Sequence, residues 1–267
     1  MMRRVLLTVC LVIGFTRQSA AEEFVTNPLR SDGFGAQFQT IIYAMLYAEM
    51  NQQTFLYSPF VSMEHNYDND PDFIKKKEWL ANVIDYFPHN NDVALQTKIS
   101  VRDFVVFFDQ NIGQCIETSA FKNIKEIFRV NKDRSRYFDD EHLHIAGHIR
   151  RSNSHDNRVD GTDTPDSVYL NIINNLRQKY LTQRPLFHIY SQGRPKKFRK
   201  TFLGDDIVLH INASIEETFT SMVLADVLVL SRSSFSYTAG LLSNGTVYYM
   251  RFWVSPLPSW IEVKVPT

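Results

Sequence analysis

Two short stretches carry the side chains best suited to chemistry. His148-Ile-Arg150-Arg151 closes one apolar run, and Ser231-Arg-Ser233-Ser234-Phe235-Ser236 closes another. Guanidinium forks match phosphate oxygens in bidentate geometry and stay charged at any physiological pH. Serines at a helix start add hydroxyl donors to backbone N–H groups that lack intrahelical partners, at the positive end of the helix dipole. Both stretches therefore suit an anion with several oxygens, a phosphate above all. Each also has a plainer reading. Ser233 or Ser234 would serve as an ordinary N-cap, and Arg151 also fits a solvated strand end. Alternation separates the two arginines, because residues 148 and 150 share one strand face and 149 and 151 the other.

These stretches need elements to hold them. Val227-Leu-Val-Leu230 is continuously apolar, as in a strand covered on both faces, and Leu143 to Ile149 reads the same way. Further strands are predicted at 186–191, 207–211 and 246–250, with the late strand itself at 226–231. The strand 207–211, centred on Leu209, again reads as fully buried. Helical patterns lie between them, the clearest at 166–181, where Tyr169, Ile172, Ile173, Leu176 and Tyr180 recur at helical spacing. This rhythm predicts an α/β fold with a doubly wound parallel sheet. Such sheets bind ligands outside the carboxyl ends of their strands, where both stretches fall.

The first half is read differently. Ser31-Asp-Gly33-Phe-Gly35-Ala-Gln37 is a glycine loop ahead of a helix with Phe38, Ile41, Ile42, Met45 and Leu46 on one face. A short strand follows at 54–57, then a polar loop at 66–72. A helix is predicted over 74–87 with Trp79, Leu80 and Val83 facing inward, and a strand over 103–108. The charged segment 132–141 marks a boundary. The chain thus divides into 1–21, a first lobe at 22–142 and a second at 143–267. The end of the chain, with Pro256, Pro258 and Trp260, is expected to fold back over the protein.

Composition narrows the class. The 267 residues are 44% hydrophobic, and 29 Lys+Arg balance 29 Asp+Glu. That balance argues against a general nucleic-acid binder, which would be basic overall. Arg3 and Arg4, the apolar run Val5 to Phe15 and the small residues Ser19, Ala20 and Ala21 have the layout of a secretory signal peptide. The run falls short of the roughly 20 residues of a membrane span, with an uncleaved signal anchor as the alternative. The expectation is a protein of the ER or Golgi lumen, or secreted, with no stable span in the mature chain. Cys10 lies in the signal, so Cys115 is left alone and no internal disulfide is expected. Cys115 reads as a small core residue. Two acceptor sequons occur, Asn212-Ala-Ser214 and Asn244-Gly-Thr246, the first doubtful in use because it follows a strand read as buried. The basic run Arg194 to Lys200 reads as a solvated helix face. Asp68-Asn-Asp70 has metal-ligand spacing but lies in a polar loop, and Asp163-Thr-Pro-Asp166 reads as a helix start. No metal is expected.

Three segments in order resemble the fucosyltransferase-like glycosyltransferases, the superfamily of α-1,2-, α-1,6- and protein O-fucosyltransferases. Gly33-Phe-Gly35-Ala-Gln37-Phe38 is similar to the family's glycine loop. His148-Ile-Arg150-Arg151 matches its His-x-Arg-Arg motif. Ala225-Asp226 through Ser236 is similar to its late strand and serine turn. The resemblance spans most of the mature chain. It implies two Rossmann-like lobes (GT-B), here with a reduced acceptor-side N-terminal lobe, and inverting sugar transfer from GDP-fucose to a glycan hydroxyl without a metal or other cofactor. It further implies that Arg150 contacts the donor β-phosphate and that Arg151 assists or holds the loop. His148 would border the nucleotide, and Ser233 and Ser234 would bind the pyrophosphate with the amides of Ser234 and Phe235. Gly33 and Gly35 would let the first lobe's backbone approach the donor, and Thr218 and Glu217 would meet the guanine or ribose unless they merely cap. The chain departs from the family at Ala36, where the loop asparagine stands, and at Ser152-Asn153, where an acidic residue often follows the arginines. Both departures bear on donor identity.

The chemistry follows from charge. A sugar leaving a nucleoside diphosphate builds negative charge on the β-phosphate oxygen, and fixed guanidinium and N–H donors lower that barrier. Candidates for the base that takes the acceptor proton are Asp32, Glu64, His65, His155, Asp156 and Asp160, with Asp32 favoured because it flanks the glycine loop. Asp226 reads as a residue that fixes local backbone. The competing readings are a non-catalytic carbohydrate- or nucleotide-binding module on the same fold, a transferase for another nucleotide sugar, and a sulfotransferase, whose lysine-containing phosphate loop is missing.

Overall fold

Among the described residues every strand pairing is parallel, which follows from apolar runs separated by helices rather than by tight turns. The computed structural model describes residues 24–66, 69–83, 85–90, 98–151 and 163–264. Residues 1–21, Asp68, Ser152, Asn153, His155, Asp156 and Asp160 lie outside them. In the first half, β1 (Phe24–Thr26) and β2 (Thr54–Leu56) form a two-stranded sheet. In the second, β3 (Leu143–Ile149), β4 (Pro185–Ser191), β5 (Ile207–Ile211), β6 (Val227–Val229), β7 (Thr246–Met250) and β8 (Ile261–Val263) form a six-stranded sheet in the order β5-β4-β3-β6-β7-β8. The predicted strands of the second half are thus found, and the expected α/β class with a reduced first lobe is the observed one. The chain end folds back as β8, and Trp260 packs on Tyr237 and Tyr249 at ring distances of 5.1 and 5.9 Å.

The strand order reverses direction between β3 and β6. A crevice opens at such a switch point, outside the carboxyl ends of the strands. Alternation sorts the strand side chains into two cores. Ile145, Ile149, Phe187, Ile189, Val227 and Val229 face α5 (Asp166–Lys179) and α6 (Pro195–Thr201). Ala146, Tyr190, Leu228 and Leu230 face the opposite way, toward α7 (Ile215–Leu224) and α8 (Ser234–Leu242). That second core runs on into the first half without a break. It takes in α1 (Phe34–Met50), α3 (Val101–Cys115) and α4 (Ser119–Arg129), so the two halves share one apolar interior. Aromatic rings weld the junction. Phe219 of α7 lies 5.1 Å from Phe34, 5.5 Å from Phe128 and 5.2 Å from Phe235.

Four local readings of the sequence are corrected. Residues 103–108 are not a strand but part of α3. Phe104, Phe108 and Cys115 are its buried positions, the first two one helical turn apart, and Ser100 and Asp103 close a capping box at its start. The helix predicted over 74–87 is α2 (Phe73–Ala81), stopped by Asn82 in the left-handed conformation at φ 57°. Its inner face is Phe73, Lys77, Leu80 and Ala81, and Trp79, on the opposite side, is 75% exposed. The glycine loop is shorter than expected, because α1 already begins at Phe34 with Gly33 as its N-cap. Strand β5 is an edge strand, so its residues are half-buried and Val208 is exposed.

Other expectations hold. Cys115 is buried against Met50, with its thiol pushed up to about 11 by burial, as befits a core residue. The basic run 194–200 is exposed except at Phe198. Asp226 does fix local structure, accepting from the His144 amide at 2.8 Å and from Arg134 at 2.9 and 3.0 Å. Asn212, after a strand that is half-buried rather than buried, is exposed, and its amide is engaged with the backbone of Gly193 at 2.8 and 3.0 Å.

Candidate active site

A cavity of about 670 Å³ opens at the switch point, between the tips of β3 and β6 and the start of α1. The β3 tip supplies His148, Arg150 and Arg151, and the turn after β6 supplies Arg232, Ser233, Ser234 and Phe235. Asp32, Gly33 and Gly35 form the wall from the first half, and Thr218 the wall from α7. Asp32, Gly33, Gly35, His148, Arg150, Arg151, Thr218, Ser233, Ser234 and Phe235 therefore line one space, whereas Glu217 is not on its wall but faces His210, and His155, Asp156 and Asp160 lie outside the described residues.

His148 holds the two strand tips together. Its Nδ1 lies 2.7 Å from the Ser231 hydroxyl, which in turn lies 3.2 Å from the Ser236 hydroxyl. Its ring packs at 5.5 Å against Phe235. Arg150 is half-buried on the same strand face as His148, whereas Arg151 points to the other. Arg151 donates to the Thr164 carbonyl at 3.0 Å, pairs with Asp166 in the first turn of α5, and lies 5.9 Å over the Phe198 ring. These contacts tie the β3 tip to the start of α5.

The serine turn has two functions at once. Ser233 is the N-cap of α8, its hydroxyl accepting from the Phe235 amide at 3.3 Å. The plainer reading of Ser233 is thus correct in this state. The helix start it caps nevertheless opens into the cavity, with Ser234 and Phe235 on its wall. Gly35 has a partner the sequence did not disclose. A Cβ there would collide with Phe235 Cα and lie 2.6 Å from the Phe235 amide nitrogen. The glycine lets the first turn of α1 press against the first turn of α8, so its close approach is to this chain's own backbone. The Thr238 hydroxyl bridges the same contact, 2.8 Å from the carbonyls of Gly35 and Ser234. Gly33 faces His65 instead, whose ring would meet a Cβ at 3.1 Å.

Of the candidates for a base, Asp32, Glu64 and His65 line the cavity. Arg30 grips both carboxylate oxygens of Asp32, through Nε at 2.9 Å and through Nη2. Glu64 is more than half exposed, and its ion-pair partner among the described residues is His65 at 3.9 Å. His65 has a φ of 75°, in the left-handed region that non-glycine residues rarely occupy and that often marks functional sites.

Sequence reasoning missed Arg232 and the aromatic pair Phe252 and Trp253. Arg232 lies in the serine turn, one residue beyond Ser231, and faces the cavity with no carboxylate partner among the described residues. Its position at the end of an apolar strand was the same signal that marked Arg150. Phe252 and Trp253 follow β7 and line the rim, and Trp253 is 56% exposed. Nothing in their spacing pointed there. Among the described residues no three His, Cys, Asp or Glu side chains are grouped to hold a metal ion, and no helix is long and apolar enough to cross a membrane.

No family model matches the chain, and no curated protein matches it. Among solved structures it is similar to the NodZ α-1,6-fucosyltransferase co-crystallized with GDP, at 13% identity over 83% of this chain and 93% of that one, with a TM-score of 0.39. Fucosyltransferase NodZ from Bradyrhizobium gives the same identity and TM-score, 13% and 0.39, over 83% of this chain and 94% of that one. The E. coli heptosyltransferase WaaC with ADP-2-deoxy-2-fluoro heptose is similar at 12% identity over 91% of this chain and 93% of that one, with a TM-score of 0.48. With every TM-score below 0.5, these likenesses carry no weight in assigning an activity.

Proposed function

We propose that this protein is a glycosyltransferase of the secretory pathway that moves a sugar, fucose foremost, from a GDP donor to a glycan hydroxyl. One observation carries the reading: the guanidinium-bearing tip of β3 and the capped start of α8 open into a single cavity at the point where the strand order reverses. A nucleoside diphosphate suits that place. Arg150 and Arg232 supply fixed positive charge, and the α8 start adds its dipole and amides. As the bond to the sugar breaks, charge moves onto the β-phosphate oxygen, and donors already in position stabilise it without reorganising. Arg150, Arg232 and the α8 start thus do the work a divalent ion does elsewhere, so transfer is proposed to be metal-independent.

Other lining residues suit the acceptor. Trp253 offers a flat apolar face of the kind that packs on the C–H face of a pyranose, and the same cavity is lined by the carboxylate of Glu64. We assign the base to Glu64 rather than Asp32, because Arg30 engages both Asp32 oxygens and lowers their basicity, whereas Glu64 is more exposed and lines the cavity. The secretory location rests on the N-terminal sequence alone.

The test is turnover in excess chelator. Purified protein without its first 21 residues is offered GDP-fucose, other GDP-sugars and UDP-sugars with a mixed glycan acceptor, and nucleotide release is followed. Release of GDP from GDP-fucose is the expected outcome. Release of UDP instead would keep the transferase and remove fucose. GDP binding with no release from any donor would favour the non-catalytic module, for which Ala36 on the cavity wall is the supporting observation.

A further inference from the structure

Away from the cavity, three histidines from three adjacent strands touch in a line on the α7 side of the large sheet. His144 Nδ1 (β3) lies 2.9 Å from His188 Nε2 (β4), and His188 Nδ1 lies 3.0 Å from His210 Nε2 (β5). At one end, His144 Nε2 lies 3.1 Å from the Asp139 carbonyl and 3.2 Å from Asp139 Oδ1. At the other, His210 Nδ1 faces Glu217 Oε1 in the first turn of α7 at 3.4 Å. The line crosses the sheet obliquely, from the amino end of β3 to the carboxyl end of β5, because Ala146 pairs with His188 and Tyr190 with His210. There α7 supplies Ile215 and Thr218 to the cavity wall.

Counting protons shows what such a line does. A carbonyl only accepts, so His144 Nε2 carries a hydrogen and, in the neutral ring, Nδ1 does not. His188 must then donate from Nε2 and accept at Nδ1, and His210 must donate from Nε2. Its Nδ1 is left bare, facing a carboxylate that is also an acceptor. Three neutral rings fill three of the four links, and the fourth needs one more proton. The unfilled link is the longest of the four, at 3.4 Å.

The surroundings place the extra proton at that end. Burial first, then His210 and His144, pushes His188 down to about 3, with Asp139 opposing. Burial also lowers His210, but the charge and hydrogen bond of Glu217 pull it back. At the far end, desolvation pushes the Asp139 carboxyl up, and hydrogen bonds from His142, the Glu141 and His142 amides and His144 outweigh it, holding the carboxyl well below the usual range. The other charged or titratable groups facing the line are Asp226 on the His144 amide, Arg134 paired with Asp226, Arg184 on His142, and Tyr190, whose ring stacks on His210 at 4.5 Å. Glu216, beside Glu217, is held by buried Lys77. None of these fills the fourth link.

We propose that this histidine line is a one-proton switch: proton uptake at the His210–Glu217 junction ties the first turn of α7 to the sheet and fixes the cavity wall that this turn carries. The uptake falls below the usual imidazole range of about 6.5. Whatever fills the cavity, acid then stiffens that wall through a charge-assisted bond.

Amide hydrogen exchange of α7, corrected for intrinsic rates, tests this between about pH 7.5 and about pH 5, on either side of the imidazole range. Protection of the first turn is expected to rise about ten- to a hundredfold on acidification, the range of a hydrogen bond to a charged group. Glu217→Gln offers an amide N–H to His210 Nδ1 without any proton from solvent. It is expected to show high protection already at the upper pH and no pH dependence. Flat protection in the native protein, or native-like pH dependence in Glu217→Gln, would overturn the proposal. Imidazole nitrogen NMR on the unaltered protein is independent of any variant. All three rings are expected as Nε2–H tautomers at neutral pH, with His210 the first to become doubly protonated. A neutral His210 bearing its hydrogen on Nδ1 would overturn the assignment.

Discussion

Replacing Arg150 by alanine is expected to lower sugar-transfer turnover about 10²–10³-fold, the usual loss on removing one fixed donor to developing charge. The fold should survive, because Arg150 sits half-buried at a strand tip and not among the apolar residues of either core. Arg150→Lys keeps the charge and loses the planar fork, so it should recover only part of the rate. Arg151→Ala is the companion variant, since Arg151 holds the start of α5. Its guanidinium is committed to Asp166 and the Thr164 carbonyl, so Arg151→Ala should loosen the start of α5 and lower stability as well as rate. Steady-state rates paired with thermal melts separate the two. Equal rate losses with equal melting changes for both variants would show that the β3 tip is structural throughout.

The second large effect is on stability in acid. His188 is buried among other imidazoles, with its pKa lowered to about 3 in the folded protein. The unfolded chain takes up a proton there near pH 6.5. A group whose folded pKa is depressed below its unfolded value binds more protons when unfolded, so stability falls as pH falls between those two values. Above about pH 6.5 the full stability is present. Below it, about 1.4 kcal/mol is lost per pH unit. By about pH 4 the loss is about 3 kcal/mol, a large share of a typical total of 5–15. Chemical denaturation at pH 7, 5.5 and 4 measures the slope. His188→Gln keeps a donor and an acceptor without titrating, and it should flatten the slope. An unchanged slope in that variant would place the acid sensitivity elsewhere.

The second half of the fold was legible because parallel strands covered on both faces read as unbroken apolar runs. The runs ending at Ile149 and Leu230 announced both a strand and the side chains at its tip. The first half was harder. Phe104 to Phe108 is as apolar as any strand, and only the Ser100–Asp103 capping box distinguishes it as a helix start. Trp79 was expected inward with Leu80 and Val83, yet Lys77, paired with Glu216, lies on the buried face of α2 instead. At the site, His148, Arg150, Ser233 and Ser234 stood out by residue type. The engagement of Asp32 by Arg30 did not, nor did Gly35 against Phe235, because pairings across space leave no trace in local spacing. The histidine line was equally hidden, since positions 144, 188 and 210 meet only through strand register.

The central claim is that the tips of β3 and β6 together hold a nucleoside diphosphate. Calorimetric titration with GDP tests it most directly, using the native protein, Arg150→Ala and Arg232→Ala. The expected result is one GDP per chain, with affinity reduced at least about tenfold in each variant, or about 1.4 kcal/mol. UDP and adenosine 3′,5′-bisphosphate should bind more weakly. No heat from any nucleoside diphosphate, or GDP affinity indifferent to both arginines, would contradict the account.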